Sequence, residues 1–403
     1  MMEKSTQKTL GIYIHIPFCV RKCLYCDFLS APADLEEMER YVAALIREIR
    51  GESSNYAGDI VKSVFLGGGT PSLLPAESIE EILDTVYDCF DVDEACEISM
   101  EVNPGTVTLE KLSSWKKSGV NRLSIGLQSA DDSELKVLGR IHTSKDFFDT
   151  YALAIKTGFN NINIDLMSAI PGQTLESYTD TLRVVTNLQP MPVHISSYSL
   201  MIEEGTPFYE DTPVLPDEDC EREMYKITGD FLTNLGYRQY EISNYAFPGY
   251  ECVHNRRYWE RGNYVGFGIG AASMIDNERF QNTNNITRYC NYYLQEKESV
   301  QKKEEALTKD ERIKEARQTL SRQEQMEEFM FLGLRMIKGI SYSEFFHTFG
   351  ATIDHVYPGI VEDFCQKGLL ERRREPETGD IRIALTRRGI DVSNVVMAQF
   401  LIS

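Results

Sequence analysis

The sequence has no apolar run near the roughly 18 residues that span a bilayer, which excludes a transmembrane protein. Its first residues, Met-Met-Glu-Lys-Ser-Thr, lack the basic start, long apolar centre and cleavage site of an export signal. Basic residues are outnumbered by acidic ones, and the formal net charge of −20 would repel phosphate backbones and anionic lipids. We therefore expect a cytoplasmic protein without general nucleic-acid binding.

Cysteine is scarce and mostly scattered. The nine cysteines are an odd number, and a chain without an export signal meets a reducing cytosol that disfavours disulfides. Clustered cysteines are then metal ligands or catalytic thiols, and only Cys19, Cys23 and Cys26 are clustered. Five others are expected to pack as small, buried or half-buried apolar residues: Cys89, Cys96, Cys220, Cys290 and Cys365.

The first half of the chain has the pattern of an α/β fold. Between about residues 11 and 200, short β-branched runs alternate with longer amphipathic ones, which is typical of parallel β/α units. Helices are predicted at 35–49 and 79–87, and Asp34 with Glu37 predicts a capping pair. The predicted strands are 12–16, 61–66, 97–102, 122–127, 162–166 and 193–200. Six units predict a partial (β/α)6 barrel.

The second half predicts a smaller domain after the barrel, since 403 residues exceed one ordinary domain. Helices are predicted at 218–235, 329–337 and 360–367, a capping pair at Ser341 and Glu344, and a β pair that includes 381–385. The predicted domains are the barrel at 1–240, an extension of the barrel at 241–295, a charged linker or solvated helix at 296–325, and a winged-helix-like domain at 326–403.

Glycines and polar residues follow the predicted strands at their carboxyl ends. A parallel barrel presents its active site at this rim, so we expect these residues to lie together, although each alone could be an ordinary loop residue. They are Cys19–Cys26, the turn Gly67-Gly68-Gly69-Thr70, Glu101, Gln128, Asp165 and Ser199.

The first loop carries the most specific motif, Cys-x3-Cys-x2-Cys, at Cys19, Cys23 and Cys26. Three thiolates on a [4Fe–4S] cluster leave one iron without a protein ligand. That iron can chelate the amino and carboxylate groups of S-adenosylmethionine, and one electron from the cluster can then break a carbon–sulfur bond. A zinc site or an electron-transfer cluster normally needs a fourth ligand at short spacing, and Asp27 and Phe28 follow instead.

The glycine turn and several polar residues are candidates for binding the nucleotide. Glycines let the backbone approach a ligand closely, and the neighbouring loop makes the aminoacyl end of S-adenosylmethionine the expected ligand. Glu101, Gln128 and Asp165 could accept hydrogen bonds from ribose hydroxyls, and Arg140 could bind a carboxylate. A surface hydrogen bond or salt bridge is the alternative for each.

A histidine lies among aromatic residues in the segment Cys-Val-His-Asn-Arg-Arg-Tyr-Trp at 252–259. The imidazole of His254 could bind heme iron while Tyr258 and Trp259 pack on the macrocycle. The alternative is an aromatic cluster in the core or at an interface. The residues by themselves leave both interpretations open.

These motifs carry a family resemblance. Residues 13–28, the Gly-Gly-Gly-Thr-Pro turn and residues 266–273 resemble the oxygen-independent coproporphyrinogen III oxidase-like radical SAM family, and the resemblance covers nearly the whole chain. The decarboxylating dehydrogenases of that family carry one more cysteine two positions after the third cluster cysteine, where this chain has Phe28. A heme-chaperone branch instead shows His-Asn-x-x-Tyr-Trp, present here at 254–259.

The resemblance implies a six-unit barrel with a C-terminal helical, winged-helix-like domain, a [4Fe–4S] cluster on Cys19, Cys23 and Cys26, and heme bound through His254 with Tyr258 and Trp259. Leu24 departs from the proline often found there, which changes none of this. The implied S-adenosylmethionine contacts are Tyr13, Tyr25, Gly68, Gly69, Thr70, Glu101, Gln128, Arg140, Asp165 and Ser199.

The implied function is delivery of heme to apo-hemoproteins, including membrane-associated ones. A low-potential electron donor such as a flavodoxin or ferredoxin is an implied partner, and a homodimer is one expected assembly. Two alternatives are radical decarboxylation of coproporphyrinogen III, and DNA binding through a basic group at 372–374 and 387–388. The acidic chain and the cysteine motif disfavour the DNA-binding alternative.

Overall fold

The computed structural model describes residues 7–295, 313–376 and 378–401. The strands are β1 (Thr9–Ile16), β2 (Ile60–Gly68), β3 (Asp91–Val102), β4 (Arg122–Gln128), β5 (Asn161–Ser168), β6 (His194–Ser199), β7 (Arg238–Gln239), β8 (Asn244–Ala246), β9 (Tyr264–Phe267), β10 (Ala272–Ile275), β11 (Glu278–Asn282), β12 (Lys314–Thr319), β13 (Ile340–Ser341), β14 (Leu370–Arg374) and β15 (Ile381–Leu385).

The helices are α1 (Leu35–Glu52), α2 (Ala76–Cys89), α3 (Leu109–Lys117), α4 (Asp132–Val137), α5 (Ser144–Lys156), α6 (Leu175–Thr186), α7 (Pro207–Glu210), α8 (Glu218–Asn234), α9 (Val253–Trp259), α10 (Ile286–Leu294), α11 (Arg322–Gly333), α12 (Tyr342–Phe349), α13 (Ile353–Val356), α14 (Ile360–Gln366), α15 (Arg387–Asp391) and α16 (Ser393–Ala398). Among the residues described, no helix combines the length and the apolar character needed to cross a bilayer.

The chain forms two compact units. The first comprises the described parts of Met1–Phe231 and Asn263–Gln318, and the second comprises Leu232–Gly262 and the described part of Thr319–Ser403. The domain boundaries expected from the sequence stay a prediction.

The first unit is an α/β fold built on a partial barrel, which confirms the predicted fold class. Strands β1 to β6 pair in parallel in chain order. The other edge of β1 pairs with β9, so within the described residues β1 and β6 are not neighbours and the barrel is open. Strands β10 and β11 continue from β9 in antiparallel pairing.

Local sequence accounts for the barrel elements. Parallel strands covered by helices are buried on both faces, so their sequences are continuous runs of apolar residues. Ile12, Ile14 and Ile16 of β1 accordingly have no exposed surface. Helix α1 begins at the predicted capping box, in which Asp34 accepts from the Glu37 amide and the Glu37 side chain accepts from the Asp34 amide. The carboxyl ends of the six parallel strands consequently meet at one rim.

The charged stretch near residue 314 differs from the expectation. Residues 296–312 lie outside the described residues, but Lys314–Thr319 forms the edge strand β12 rather than a helix or linker. The ammonium of Lys314 lies 4.9 Å, and the guanidinium of Arg317 5.4 Å, from the ring centre of Phe280. Charged residues are common on edge strands because they oppose further strand pairing, so charge density alone was a poor guide here.

The second unit holds the C-terminal helices and a small antiparallel sheet in the order β13, β15, β14. Its core includes the aromatic rings of Phe345, Phe349 and Phe400. The predicted cap is confirmed, because Ser341 accepts from the Glu344 amide at the start of α12. The helix predicted at 329–337 was wrong in its bounds: α11 starts after a capping box on Ser321 and ends at Gly333.

A buried carboxylate ties α1 to the segment that follows β9. Glu48 is wholly buried and accepts hydrogen bonds from the Gly268 amide (2.7 Å), the Asn282 side chain (2.6 Å) and the Tyr289 hydroxyl. Burial raises the pKa of Glu48 from 4.5 to about 7, because removal from water disfavours the charged form more than these donors favour it.

This raised pKa predicts a pH-dependent stability. Between pH 4.5 and 7 the folded protein holds a proton on Glu48 that the unfolded chain releases, so this stabilisation is complete below the unfolded pKa and is lost as pH rises through about 7. We expect the free energy of unfolding of the wild type to fall relative to Glu48→Gln by on the order of 3 kcal/mol across this range. Urea denaturation at a series of pH values measures it.

The control is Glu39→Gln, on an exposed position of the same helix, which should follow the wild type. Parallel pH profiles for the wild type and Glu48→Gln would contradict the assigned role of Glu48.

Candidate functional site

The three clustered cysteines lie on the loop after β1, at the rim where the parallel strands end. Each is a free, partly exposed thiol, and all three line one cavity of about 370 Å³. Backbone hydrogen bonds fix the loop, from the Cys19 amide to Ala31 (3.1 Å) and from the Leu24 amide to Leu138 (3.1 Å).

The cavity brings together residues from all six strand ends. Those predicted from the sequence and found in its lining are Cys19, Cys23, Tyr25, Cys26, Gly68, Gly69, Thr70, Glu101, Gln128, Arg140, Asp165 and Ser199. Tyr13 is not among the lining residues, and its hydroxyl lies 3.0 Å from His15 Nδ1. The role expected for Tyr13 stays a prediction.

Asn103 was missed by the sequence analysis. It lines the cavity just after β3, donates from its amide to Thr70 Oγ1 (2.9 Å) and accepts from Arg140 (3.0 Å). Its position next to the end of a strand, two residues after Glu101, was an available signal. Asparagine is so common in turns that this signal alone does not separate a site residue from a loop residue.

The glycine turn after β2 packs directly against the cysteine loop. Gly68 has φ +110°, which favours glycine, and its amide donates to Glu101 Oε2 (3.1 Å). A Cβ on Gly69 would lie 2.7 Å from the Phe18 carbonyl oxygen. Only glycine therefore allows the turn and the loop to approach this closely.

Two partly buried carboxylates, Glu101 and Asp165, line the cavity. The pKa of Glu101 is raised to about 8, first by burial and then by the negative charge of Asp165. Burial also raises the pKa of Asp165, which accepts from Ser124 (3.0 Å) and Asn163 (2.8 Å). A cationic ligand beside this pair would favour its ionised form.

Arg140 places a partly buried cation between the strand ends and the cysteine loop. One terminal nitrogen donates to the Gly126 carbonyl (2.8 Å) and to Asn103, and the other lies 3.7 Å from Cys23 Sγ. A Cβ on Gly126 would lie 3.1 Å from Gln128 Nε2 and 3.3 Å from the guanidinium, so both side chains would have to shift slightly.

The residues present fit an iron–sulfur cluster better than a single ion. Nowhere in the described ranges are three or more His, Cys, Asp or Glu side chains placed to hold one metal ion. Separate thiols around a wide cavity suit a cluster, in which each sulfur binds a different iron, whereas structural zinc gathers four ligands around one centre. The amide, hydroxyl, carboxylate and guanidinium groups of the remaining lining match the polar groups of an aminoacyl nucleoside.

The residues predicted to bind heme lie together on helix α9 of the second unit. His254 is buried, its Nε2 lies 2.7 Å from the Tyr258 hydroxyl, and the two rings meet edge to face. Trp259 packs against a cluster that contains Tyr240 and Met336, and its ring lies 4.3 Å below the guanidinium of Arg335. Trp259 is therefore part of the packing within the second unit.

Comparison with known proteins identifies the class. Residues 13–185 match the Radical SAM superfamily and residues 320–392 match the HemN C-terminal domain. The solved structure of coproporphyrinogen III oxidase (HemN) from Escherichia coli, a radical SAM enzyme, shares the fold with a TM-score of 0.80 at 23% identity, over 98% of this chain and 90% of that chain. The fold and the site define a radical SAM protein, whose cofactors are a [4Fe–4S] cluster and S-adenosylmethionine.

Proteins of similar sequence identify the family within the radical SAM class. Heme chaperone HemW of Bacillus subtilis (strain 168) is 34% identical over 394 residues, which cover 96% of this chain and 98% of the relative. The protein of the same name from Escherichia coli (strain K12) is 42% identical over 267 residues, 66% of this chain and 70% of the relative. The chain belongs to the HemW family, which confirms the resemblance found in its sequence.

Proposed function

We propose that this protein is a cytoplasmic heme chaperone that binds heme and delivers it to apo-hemoproteins. The observation that carries the proposal is the similarity to HemW of Bacillus subtilis over 96% of the chain. In the first unit, the cavity holds the cluster and S-adenosylmethionine. In the second unit, α9 carries the heme-binding residues.

In this proposal each group of predicted site residues has a role. Cys19, Cys23 and Cys26 hold three irons, and the cluster when bound supplies one-electron chemistry. The turn at Gly68 and Gly69 receives the aminoacyl end of S-adenosylmethionine. The remaining contacts to this ligand are Tyr13, Tyr25, Thr70, Glu101, Gln128, Arg140, Asp165 and Ser199.

The glycine turn allows a direct test of nucleotide binding. In Gly69→Ala the new Cβ would meet the Phe18 backbone at 2.7 Å, so the turn and the cysteine loop must separate. We expect the affinity for S-adenosylmethionine to fall about tenfold or more, which is about 1.4 kcal/mol or more. Equilibrium dialysis with anaerobically reconstituted protein measures it.

Gly51→Ala is the matched control, because a Cβ there meets nothing within 4 Å. It should bind S-adenosylmethionine as the wild type does. Unchanged affinity in Gly69→Ala would contradict the placement of the ligand at this turn.

His254 supplies the heme-iron ligand in this proposal, and Tyr258 controls its availability. The Tyr258 hydroxyl lies 2.7 Å from His254 Nε2, so coordination of iron by Nε2 requires the hydroxyl to move away. Trp259, whose ring lies beside the Arg335 guanidinium, would pack on the macrocycle.

The low-potential electron donor, such as a flavodoxin or ferredoxin, docks on the face of the cysteine loop. Large apolar side chains are exposed there: Val20 by 62%, Phe28 by 57% and Ile141 by 56%. Arg21 and Lys22 add positive charge to a chain of net charge −20. An apolar patch with a basic rim fits an acidic partner.

Two of the five arginines in the basic group of the C-terminal domain form ion pairs within the domain, which disfavours DNA binding. Arg372 pairs with Glu362 (2.9 Å), and Arg373 pairs with Glu371. A nucleic-acid surface needs cations that are free to meet phosphates.

Transfer of heme provides the functional test. Heme-loaded protein should convert an apo-hemoprotein to its holo form faster than an equal concentration of free heme does, followed by the absorbance of the acceptor. The same preparation should leave coproporphyrinogen III unchanged when S-adenosylmethionine and a low-potential reductant are supplied without oxygen. Turnover of coproporphyrinogen III would reject a chaperone-only function.

A further inference from the structure

Side chains in the cavity wall lie within hydrogen-bonding distance of Cys19 and Cys23. Thr70 Oγ1 lies 3.4 Å from Cys19 Sγ, and a terminal nitrogen of Arg140 lies 3.7 Å from Cys23 Sγ. Both distances are within hydrogen-bond range for sulfur. The two partners come from different strand ends, and Asn103 connects them.

Asn103 joins the partners through both ends of its side-chain amide. Its nitrogen donates to Thr70 Oγ1 (2.9 Å), and its oxygen accepts from Arg140 (3.0 Å). Because the Thr70 oxygen accepts from Asn103, its own proton is free to point at Cys19 Sγ. Asn103 therefore connects two donors: the Thr70 hydroxyl, which points at Cys19 Sγ, and the Arg140 guanidinium, which points at Cys23 Sγ.

We propose that Asn103 is a positioning residue that aims these two donors at the cluster thiolates and thereby raises the reduction potential of the cluster. The inference rests on the cluster that Cys19, Cys23 and Cys26 hold in the proposed function, and it is independent of heme transfer.

The physical reason lies in the charge of the two oxidation levels. A reduced cluster carries one more negative charge than an oxidised cluster, and part of that charge resides on the cysteine sulfurs. Hydrogen bonds to those sulfurs stabilise the reduced form more than the oxidised form, which raises the potential. Thr70 is 2% exposed, and burial strengthens each such bond because little water competes.

The test is a redox titration of the anaerobically reconstituted full-length protein, followed by the electron paramagnetic resonance signal of the reduced cluster. We expect Asn103→Ala to lower the midpoint potential, because the Thr70 hydroxyl and the Arg140 guanidinium lose their common partner. Thr70→Val removes the hydroxyl with little change of shape and should also lower it. Thr70→Ser keeps the hydroxyl and should restore the wild-type potential.

Asn121→Ala is the matched control. Asn121 also makes two hydrogen bonds through its amide, with the Ile98 amide (2.9 Å) and the Cys96 carbonyl (2.7 Å), but it does not line the cavity. Its loss should leave the potential unchanged.

Four-iron clusters at the wild-type potential in both Asn103→Ala and Thr70→Val would overturn the inference. The inference would also be overturned if Asn121→Ala lowered the midpoint potential as much as Asn103→Ala does. Failure of the wild type to assemble any cluster would overturn both this inference and the cofactor assignment, whereas a lack of heme transfer would affect only the proposed function.

Discussion

Single replacement of Cys19, Cys23 or Cys26 by alanine is expected to abolish the iron–sulfur absorbance and to reduce bound iron from about four per chain to nearly none. All three thiols line the same cavity. In the proposed site each binds a different iron, so two remaining cysteines would leave two of the four irons without protein ligands. The three cysteines lie on a loop and are partly exposed, so their loss removes little core packing. Far-ultraviolet circular dichroism should therefore show a folded barrel.

Cys89→Ala provides the matched control, because Cys89 is also a partly exposed free thiol but lies at the end of α2, outside the cavity. Its cluster should match that of the wild type by iron and sulfide analysis. An intact four-iron cluster in all three single variants of the cysteine loop would end the assignment.

His254→Ala is expected to weaken heme binding roughly 100-fold, or about 2.7 kcal/mol, and to change the Soret band, because the iron would lose its proposed ligand. Tyr258→Phe should act in the opposite direction. The lost hydroxyl no longer engages His254 Nε2, and a typical hydrogen bond of about 1 kcal/mol corresponds to about fivefold tighter binding. Spectrophotometric titration with heme measures both affinities.

His347→Ala is the control for loss of a histidine, since His347 lies on the exposed side of α12 with its Nδ1 beside the Ser343 carbonyl. It should bind heme as the wild type does. A wild-type Soret band and affinity in His254→Ala would reject His254 as the ligand, and weaker binding in Tyr258→Phe would contradict the competition between Tyr258 and iron.

Local patterns predicted most of the barrel. The predicted strands lie within or close to β1 to β6, since buried parallel strands leave continuous apolar runs in the sequence. The caps at Asp34 and Ser341 were predicted correctly, because a cap depends on residues only three positions apart. The strand at Lys314–Thr319 was missed, because its pairing depends on a distant edge and its composition resembles that of a solvated helix.

The sequence by itself determined the cysteine spacing, the glycine turn and the family, because these depend on residues that are neighbours along the chain. Only the tertiary structure decided which side chains meet at the thiols. Cys19, Thr70, Asn103 and Arg140 follow four different strands, and the parallel register of those strands brings them within hydrogen-bonding distance. Contacts between residues that follow four different strands leave no periodic pattern in the sequence. The role of Asn103 is therefore apparent only from the folded structure.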